Sequence, residues 1–305
     1  MVLAIGLVAA RWEKPLVRIG ALGLVAGVMA LAGLGLLSAT GIGIGLLSLS
    51  LVTFVTGLVS AGDATVRLQL NRMRLRRMLE RYLSPAVAAQ IASQPEEADE
   101  LLGGRVSEVV VFLCDVRGFT ERTTQMSQSG RATELVAQLN EYFGVVVDVL
   151  QRHGATIDKF MGDAVLAVFG VPLSRGLDTE VEEALQAMVE ITQGVEELNQ
   201  RWIGEGKEPW QQVMILSGGS VISGNIGCAT RMDFTVIGDT VNMASRLEAV
   251  AKQTNSSTVL NSVVAAHAPP EWRIEHIGQF EIRGQGKQDA FTLVAPPTDT
   301  ATGNA

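Results

Sequence analysis

The stretch IDKFMGDAVLAVFG, residues 157 to 170, predicts a β-hairpin. Gly162-Asp163 is a turn-forming dipeptide, and the segments on either side, TIDKFM and AVLAVF, are short and mostly apolar, as strands are. Lys159 and Asp163 nevertheless place two opposite charges in a run that is otherwise suited to burial. For Asp163 considered alone, a role in the turn is the simpler interpretation.

The segments around this hairpin predict an α+β domain, with one sheet and helices packed on it. The elements follow in the order strand, helix, hairpin, helix, strands, helix, hairpin, and the last helix begins at about Thr240. The first strand, RVSEVVVFLCD, contains the continuous apolar run VVVFLC and ends in Asp115. Asp115 and Asp163 can therefore converge at one edge of the sheet, where carboxylates either form turns or bind hard cations.

Residues 19 to 62 contain no charged side chain, and this run of 44 residues is long enough for two membrane spans of about 20 residues each. We expect spans at about 19–37 and 42–61. Basic residues flank the run on both sides, which puts both ends, and the α+β domain that follows, on the cytoplasmic side of the inner membrane. A buried helical hairpin in a soluble protein is the alternative. The apolar start MVLAIGLVAA is too short to span and is compatible with the end of a longer helix, which would change the span count by one.

Residues 63–103 are expected to form a basic helical linker followed by an acidic hinge, and residues 296–305 a disordered tail. The linker helix either pairs with a copy of itself or rests its arginines on lipid head groups. Residues 94–305 hold 15 basic and 29 acidic side chains, a net charge of −14, which argues against a nucleic-acid binder. The two cysteines and three histidines lack the spacing of a metal site and are interpreted as structural.

Three motifs, VFLCDVRGFT, IDKFMGDAVLAVFG and DFTVIGDTVNMASRLE, resemble the catalytic domain of class III adenylyl cyclases, in particular the bacterial, bicarbonate-responsive subgroup. The likeness covers about residues 104–295 and implies a ferredoxin-like cyclase fold, an antiparallel sheet with packed helices. It implies that Asp115, Asp163 and the backbone carbonyl of Val116 bind two Mg²⁺ or Mn²⁺ ions. One ion would activate the ATP 3′-hydroxyl for in-line attack on the α-phosphate, and the other would neutralise the triphosphate and the departing pyrophosphate.

The same resemblance implies that each active site lies across a head-to-tail homodimer. Arg246 matches the arginine that stabilises charge at the α-phosphate, and Asn242 matches the asparagine that orients the ribose. From the residues alone, both would be interpreted as solvated or capping positions. Arg231 and Arg283 are expected to contact phosphates, and Phe119 is expected to contact the substrate. Arg283 is a departure from the family, because it and Gln285 stand where relatives usually have lysines, and Lys287 is a possible substitute.

Lys159 and Thr235 match the pair that reads the base, and a lysine with a hydroxyl suits adenine better than guanine. Guanylyl cyclases of the family carry an acidic residue and usually a cysteine at these positions. Threonine at position 235 also marks the bicarbonate-responsive subgroup, so bicarbonate is a candidate activator. The sequence thus predicts a membrane-anchored adenylyl cyclase. The alternatives are a degenerate nucleotide-binding regulatory module, which would usually lack one of the metal aspartates or the arginine, and a guanylyl cyclase.

Overall fold

The computed structural model describes residues 27–28, 30–35, 37–39, 51, 70, 103–228, 231–282 and 284–297. The chain divides into two compact units, residues 1–75 and 76–305. The described residues of the first unit are helical, and no helix in the described ranges is long and apolar enough to cross a membrane. Most of the two predicted spans, the linker and the tail from residue 298 lie outside the described residues. Membrane anchoring stays a prediction.

One mixed sheet organises the second unit in the part of the chain that the structure describes. Its eight strands are β1 Arg105–Val116, β2 Thr156–Met161, β3 Ala164–Phe169, β4 Gln212–Cys228, β5 Arg231–Ile237, β6 Thr258–Asn261, β7 Arg273–Ile282 and β8 Gly286–Ala295. The helices packed on it are α1 Phe119–Gln128, α2 Ala132–Arg152, α3 Leu177–Gly204, α4 Asp239–Thr254 and α5 Ser262–His267.

The strand order is β2-β3-β1-β4-β6-β8-β7, with β5 paired to the distal part of β4. The first four strands form the split β-α-β arrangement of a ferredoxin-like fold, and all of their pairings are antiparallel. The predicted antiparallel sheet is mixed instead, because β4 and β6 are parallel. The chain reaches β6 through β5 and the crossover helix α4, and such a crossover is the usual way to bring two strands into parallel pairing.

Strand β1 lies in the middle of the sheet and is buried on both faces. Its residues Val110, Phe112 and Cys114 pack in a core that includes side chains of α2 and α3. The alternate residues Val109, Val111 and Leu113 pack in a second core under α4. Because both faces of residues 109–114 are covered, this part of the strand is continuously apolar rather than alternating. Asp115 follows this run directly, one residue before the strand ends.

Candidate active site

The two predicted metal ligands lie together at one edge of the sheet. Asp115 is the residue of β1 that follows Cys114, which pairs with Val165 near the start of β3. Asp163 follows Gly162 in the turn of the β2–β3 hairpin, and that glycine has a φ of 67°, a backbone conformation that glycine adopts at low cost. The antiparallel pairing of β1 with β3 therefore brings the two carboxylates side by side.

The environment of this pair disfavours two uncompensated negative charges. Partial burial, followed by the neighbouring Asp163 carboxyl, raises the pKa of Asp115 to about 7, and Glu248 contributes in the same direction. The backbone N–H of Val116 acts in the opposite direction. A divalent cation bound by the two carboxylates would offset this repulsion, because an opposite charge favours the ionised form of Asp115.

A cavity of about 510 Å³ opens beside the carboxylates. The loop after β1 and the first turn of α1 line one side of it, and the lining includes Gly118, Phe119 and Thr120. Gly118 has a φ of 70° and turns the chain from β1 directly into α1, so the free backbone N–H groups of that helix begin at the cavity. A helix N-terminus next to a pair of metal-binding carboxylates suits an anionic ligand such as a phosphate group.

Helix α4 presents two different flanks around its buried stripe. Ser245, Glu248 and Lys252 line the aspartate cavity, and Glu248 forms an ion pair with Lys252 at 2.5 Å. Asn242 and Arg246, which are one helical turn apart, do not line that cavity. Arg246 instead lies near the β7–β8 turn. Its two terminal guanidinium nitrogens are about 4.0 Å from the point where Gly284 would carry a Cβ if it were alanine. One chain therefore does not bring its own Asn242 and Arg246 to its aspartate pair.

Lys159 and Thr235 form a second locus, on β2 and β5. Lys159 Nζ donates a hydrogen bond to Thr235 Oγ1 at 3.2 Å, although the two residues are 76 positions apart in the sequence. Thr235 is 9% exposed, whereas the Lys159 side chain is 49% exposed and its ammonium is within reach of a ligand. Neither residue lines the cavity beside the aspartates.

Of the remaining predicted site residues, two line the aspartate cavity and two have side chains that lie outside the described residues. Phe119 lines the aspartate cavity and packs edge-on against Trp210, with ring centroids 5.8 Å apart, so its ring also packs against the core. Val116 is buried and lines the same cavity. The side chain of Arg231 and the whole of Arg283 lie outside the described residues, so their predicted phosphate contacts stay predictions.

The sequence did not predict three residues of the cavity wall as part of a site. They are Ser245, Glu248 and Lys252. They lie on α4 at spacings of three and four residues, so a helical wheel places them on one flank. The signal was available in the sequence, but only the position of the β1 edge relative to α4 shows that this flank faces Asp115. Glu248 and Lys252 add one charge of each sign to the cavity, and a lysine here is suited to a phosphate oxygen.

The donor set fits magnesium or manganese. Within the described ranges, no cluster of three or more histidine, cysteine, aspartate or glutamate side chains is placed to bind a metal ion. Proteins usually bind Mg²⁺ through one or two carboxylates, because the ion keeps several waters and completes its shell with substrate phosphates. The open cavity next to Asp115 and Asp163 leaves room for those ligands.

Comparison with known proteins agrees with this geometry. Residues 103–295 match the family described as the adenylate and guanylate cyclase catalytic domain. The chain belongs to this family. An adenylate cyclase of Anabaena cylindrica is 28% identical to it over 242 residues, which are 77% of this chain and 46% of the relative. The present chain thus spans less than half of that relative's length.

Solved structures of cyclases resemble the second unit of this chain. The crystal structure of the adenylyl cyclase CyaB from P. aeruginosa matches with a TM-score of 0.59 at 28% identity, over 64% of this chain and 97% of that one. The guanylyl cyclase Cya2 matches with a TM-score of 0.57, also at 28% identity, over 66% of this chain and 98% of that one. Because an adenylyl and a guanylyl cyclase are about equally similar, the choice of base rests on the residues that would contact it.

Proposed function

We propose that this protein is a membrane-anchored, homodimeric adenylyl cyclase that converts ATP into 3′,5′-cyclic AMP and pyrophosphate. The observation that carries the choice of ATP is the 3.2 Å contact between Lys159 Nζ and Thr235 Oγ1. The edge of adenine presents an acceptor at N1 and a donor at its amino group, which match an ammonium and a hydroxyl oxygen. Guanine presents the opposite pattern on the same edge and would leave the ammonium facing a donor.

The separation of the site residues within one chain supports a dimer. The aspartate cavity lacks the Asn242 and Arg246 side chains, and also the Lys159–Thr235 locus. A second copy packed head to tail would supply these groups, and each dimer would then hold two equivalent sites. In this arrangement one β2–β3 hairpin serves two sites, since Asp163 would bind metal in one and Lys159 would read adenine in the other.

Exposed apolar side chains on the β4–β5 arm support the same proposal. Ile222 and Ile237 pair across these strands and are 49% and 50% exposed, and Ile226 further along β4 is 40% exposed. On β2, Phe160 is 53% exposed, next to Lys159. Apolar residues grouped around a binding locus are typical of a protein interface. We assign them to the second copy of the chain, because that copy also completes the site.

The chemistry follows from positions and charges. When bound by Asp115 and Asp163, divalent ions would lower the pKa of the 3′-hydroxyl and neutralise phosphate charge. The N-terminus of α1 and Lys252 would hold the phosphates, and the partner's Arg246 would stabilise the charge that develops at the α-phosphate. Bicarbonate activation stays a prediction that rests on Thr235 alone. The membrane anchor rests on the uncharged run of residues 19–62.

Turnover of ATP tests this function against the degenerate regulatory module. We expect the full 305-residue chain, purified in detergent with Mn²⁺, to release cyclic AMP and pyrophosphate in equal amounts. Asp163→Asn, which changes the charge and keeps the size, is the matched control and should be inactive. Tight ATP binding without any cyclic AMP at micromolar enzyme would contradict the proposal and favour the regulatory module.

A further inference from the structure

A β-bulge in strand β2 sets the direction of the base-reading lysine. Ile157 pairs with Ala167 and Lys159 pairs with Leu166, so Asp158 is an extra residue in the ladder. Ala167 belongs to the core under α2 and α3, whereas Leu166 belongs to the core under α4. Without the extra residue, alternation would put Lys159 on the same face as Ile157. The bulge instead turns Lys159 to the α4 face, where β5 carries Thr235.

The bulged residue itself is a buried carboxylate next to the base-reading pair. The side chain of Asp158 is 3% exposed, and its Oδ2 is 3.4 Å from Lys159 Nζ. Both carboxylate oxygens are buried and lack a hydrogen bond of normal geometry. Burial raises the pKa of Asp158, while Thr235 and then Lys159 lower it. The Thr235 hydroxyl and the Asp158 carboxylate flank the same ammonium, since Lys159 Nζ is 3.2 Å from Thr235 Oγ1 and 3.4 Å from Asp158 Oδ2.

This burial demands an explanation. Burial of a carboxylate whose oxygens lack hydrogen bonds raises the free energy of the folded state. An exposed aspartate would not have this cost. The neighbouring Asp233 acts in the unfavourable direction, since its charge also raises the pKa of Asp158. The ammonium and the hydroxyl of the base-reading pair are the groups that favour the ionised form. We therefore attribute the buried position of Asp158 to its effect on Lys159 and Thr235, and not to a contribution to the stability of the fold.

We propose that Asp158 is a positioning residue for base recognition, which holds the Lys159 ammonium in place and accepts a hydrogen bond from the Thr235 hydroxyl. This inference rests on the proposed adenylyl cyclase function. A threonine hydroxyl has one proton to donate and two lone pairs to accept. With its proton directed to Asp158 and one lone pair taken by Lys159, the hydroxyl presents only an acceptor to the base. An acceptor binds the amino group of adenine and repels the carbonyl of guanine.

Asp158→Asn tests this role because it removes the charge at nearly constant size. Asparagine can offer its own N–H to Thr235, which frees the hydroxyl proton to face the base. We expect kcat/KM for ATP to fall by about 10- to 100-fold, as for loss of a hydrogen bond to a charged group. We expect the ratio of kcat/KM for ATP to that for GTP to fall about tenfold, because guanine no longer meets a fixed acceptor. Asp158→Glu, which keeps a carboxylate, should retain more of this ratio than Asp158→Asn.

Equilibrium binding of α,β-methylene-ATP and α,β-methylene-GTP to the full chain, with Mn²⁺, measures the same preference without turnover. Asp148→Asn is the matched control, because Asp148 is an exposed carboxylate on α2 that pairs with Arg152. It should leave the ATP-to-GTP ratio unchanged. If Asp158→Asn weakens both nucleotides equally, its role is structural and the inference is overturned while the proposed function stands. If the wild-type chain shows no preference for the adenine analogue, the proposed function and the inference both fail.

Discussion

Asp115→Ala and Arg246→Ala are each expected to lose at least about 1,000-fold of the cyclase activity when assayed alone. A 1:1 mixture of the two variants should recover about a quarter of the wild-type activity, because half of the dimers are then heterodimers with one intact site of two. The physical reason is the separation seen in one chain. Asp115 lines the cavity beside α1, whereas Arg246 points away from it, towards the β7–β8 turn.

A second mixture provides the control for this experiment. Asp115→Ala and Asp163→Ala remove two ligands from the same half of the site, so no heterodimer of these variants contains an intact site. This mixture should stay inactive at every ratio. Recovery of activity in the control, or none in the Asp115→Ala and Arg246→Ala mixture after subunit exchange, would contradict a site composed of two copies. The measurement is cyclic AMP formed per total protein after the variants are mixed and allowed to exchange.

Removal of the divalent ion is expected to have the other large effect, a loss of about 1,000-fold or more on chelation, restored by Mn²⁺ or Mg²⁺. The carboxylate pair predicts a readout that needs no activity. Without metal, Asp163→Asn relieves the repulsion on Asp115 and should unfold at a temperature equal to or above that of the wild type. With Mn²⁺, the wild type should be stabilised and Asp163→Asn should not, because binding to the folded state raises apparent stability.

Glu275→Gln is the control for the metal experiment. Glu275 is an exposed carboxylate on β7 that pairs with Arg273, away from the cavity. This variant should keep the full Mn²⁺-dependent rise in unfolding temperature. The metal assignment would be wrong if Asp163→Asn gained as much stability from Mn²⁺ as the wild type does. Thermal unfolding followed by tryptophan fluorescence suffices, since Trp202 and Trp210 are buried in the core of this unit.

The hairpin and the strand before it could be predicted from sequence because their signals are local. A Gly-Asp turn between two short apolar runs specifies the tip that carries Asp163, and a continuous apolar run that ends in a carboxylate specifies β1. The convergence of Asp115 and Asp163 required only that both lie in one antiparallel sheet. The assignment of Asn242, Arg246, Lys159 and Thr235 to a site came from the family resemblance instead.

Other features of the site depend on the register between distant segments. The bulge at Asp158 is a shift in the register between β2 and β3. The sequence of either strand alone does not predict it. The parallel pairing of β4 with β6 depends on how α4 crosses the sheet. The flank with Glu248 and Lys252 faces Asp115 for the same reason. A pattern of apolar residues predicts which face of α4 is buried, but it does not specify which side of that buried stripe lies next to β1.

Direct competition between ATP and GTP tests the central claim that this chain is an adenylyl cyclase. The 305-residue chain receives equal concentrations of both nucleotides and Mn²⁺ in one tube, and mass spectrometry quantifies cyclic AMP and cyclic GMP over the initial linear phase. The ratio of the two products then equals the ratio of kcat/KM for the two substrates. The Lys159–Thr235 pair predicts that cyclic AMP is in large excess. Equal amounts of the two products, or an excess of cyclic GMP, would contradict the proposed base recognition.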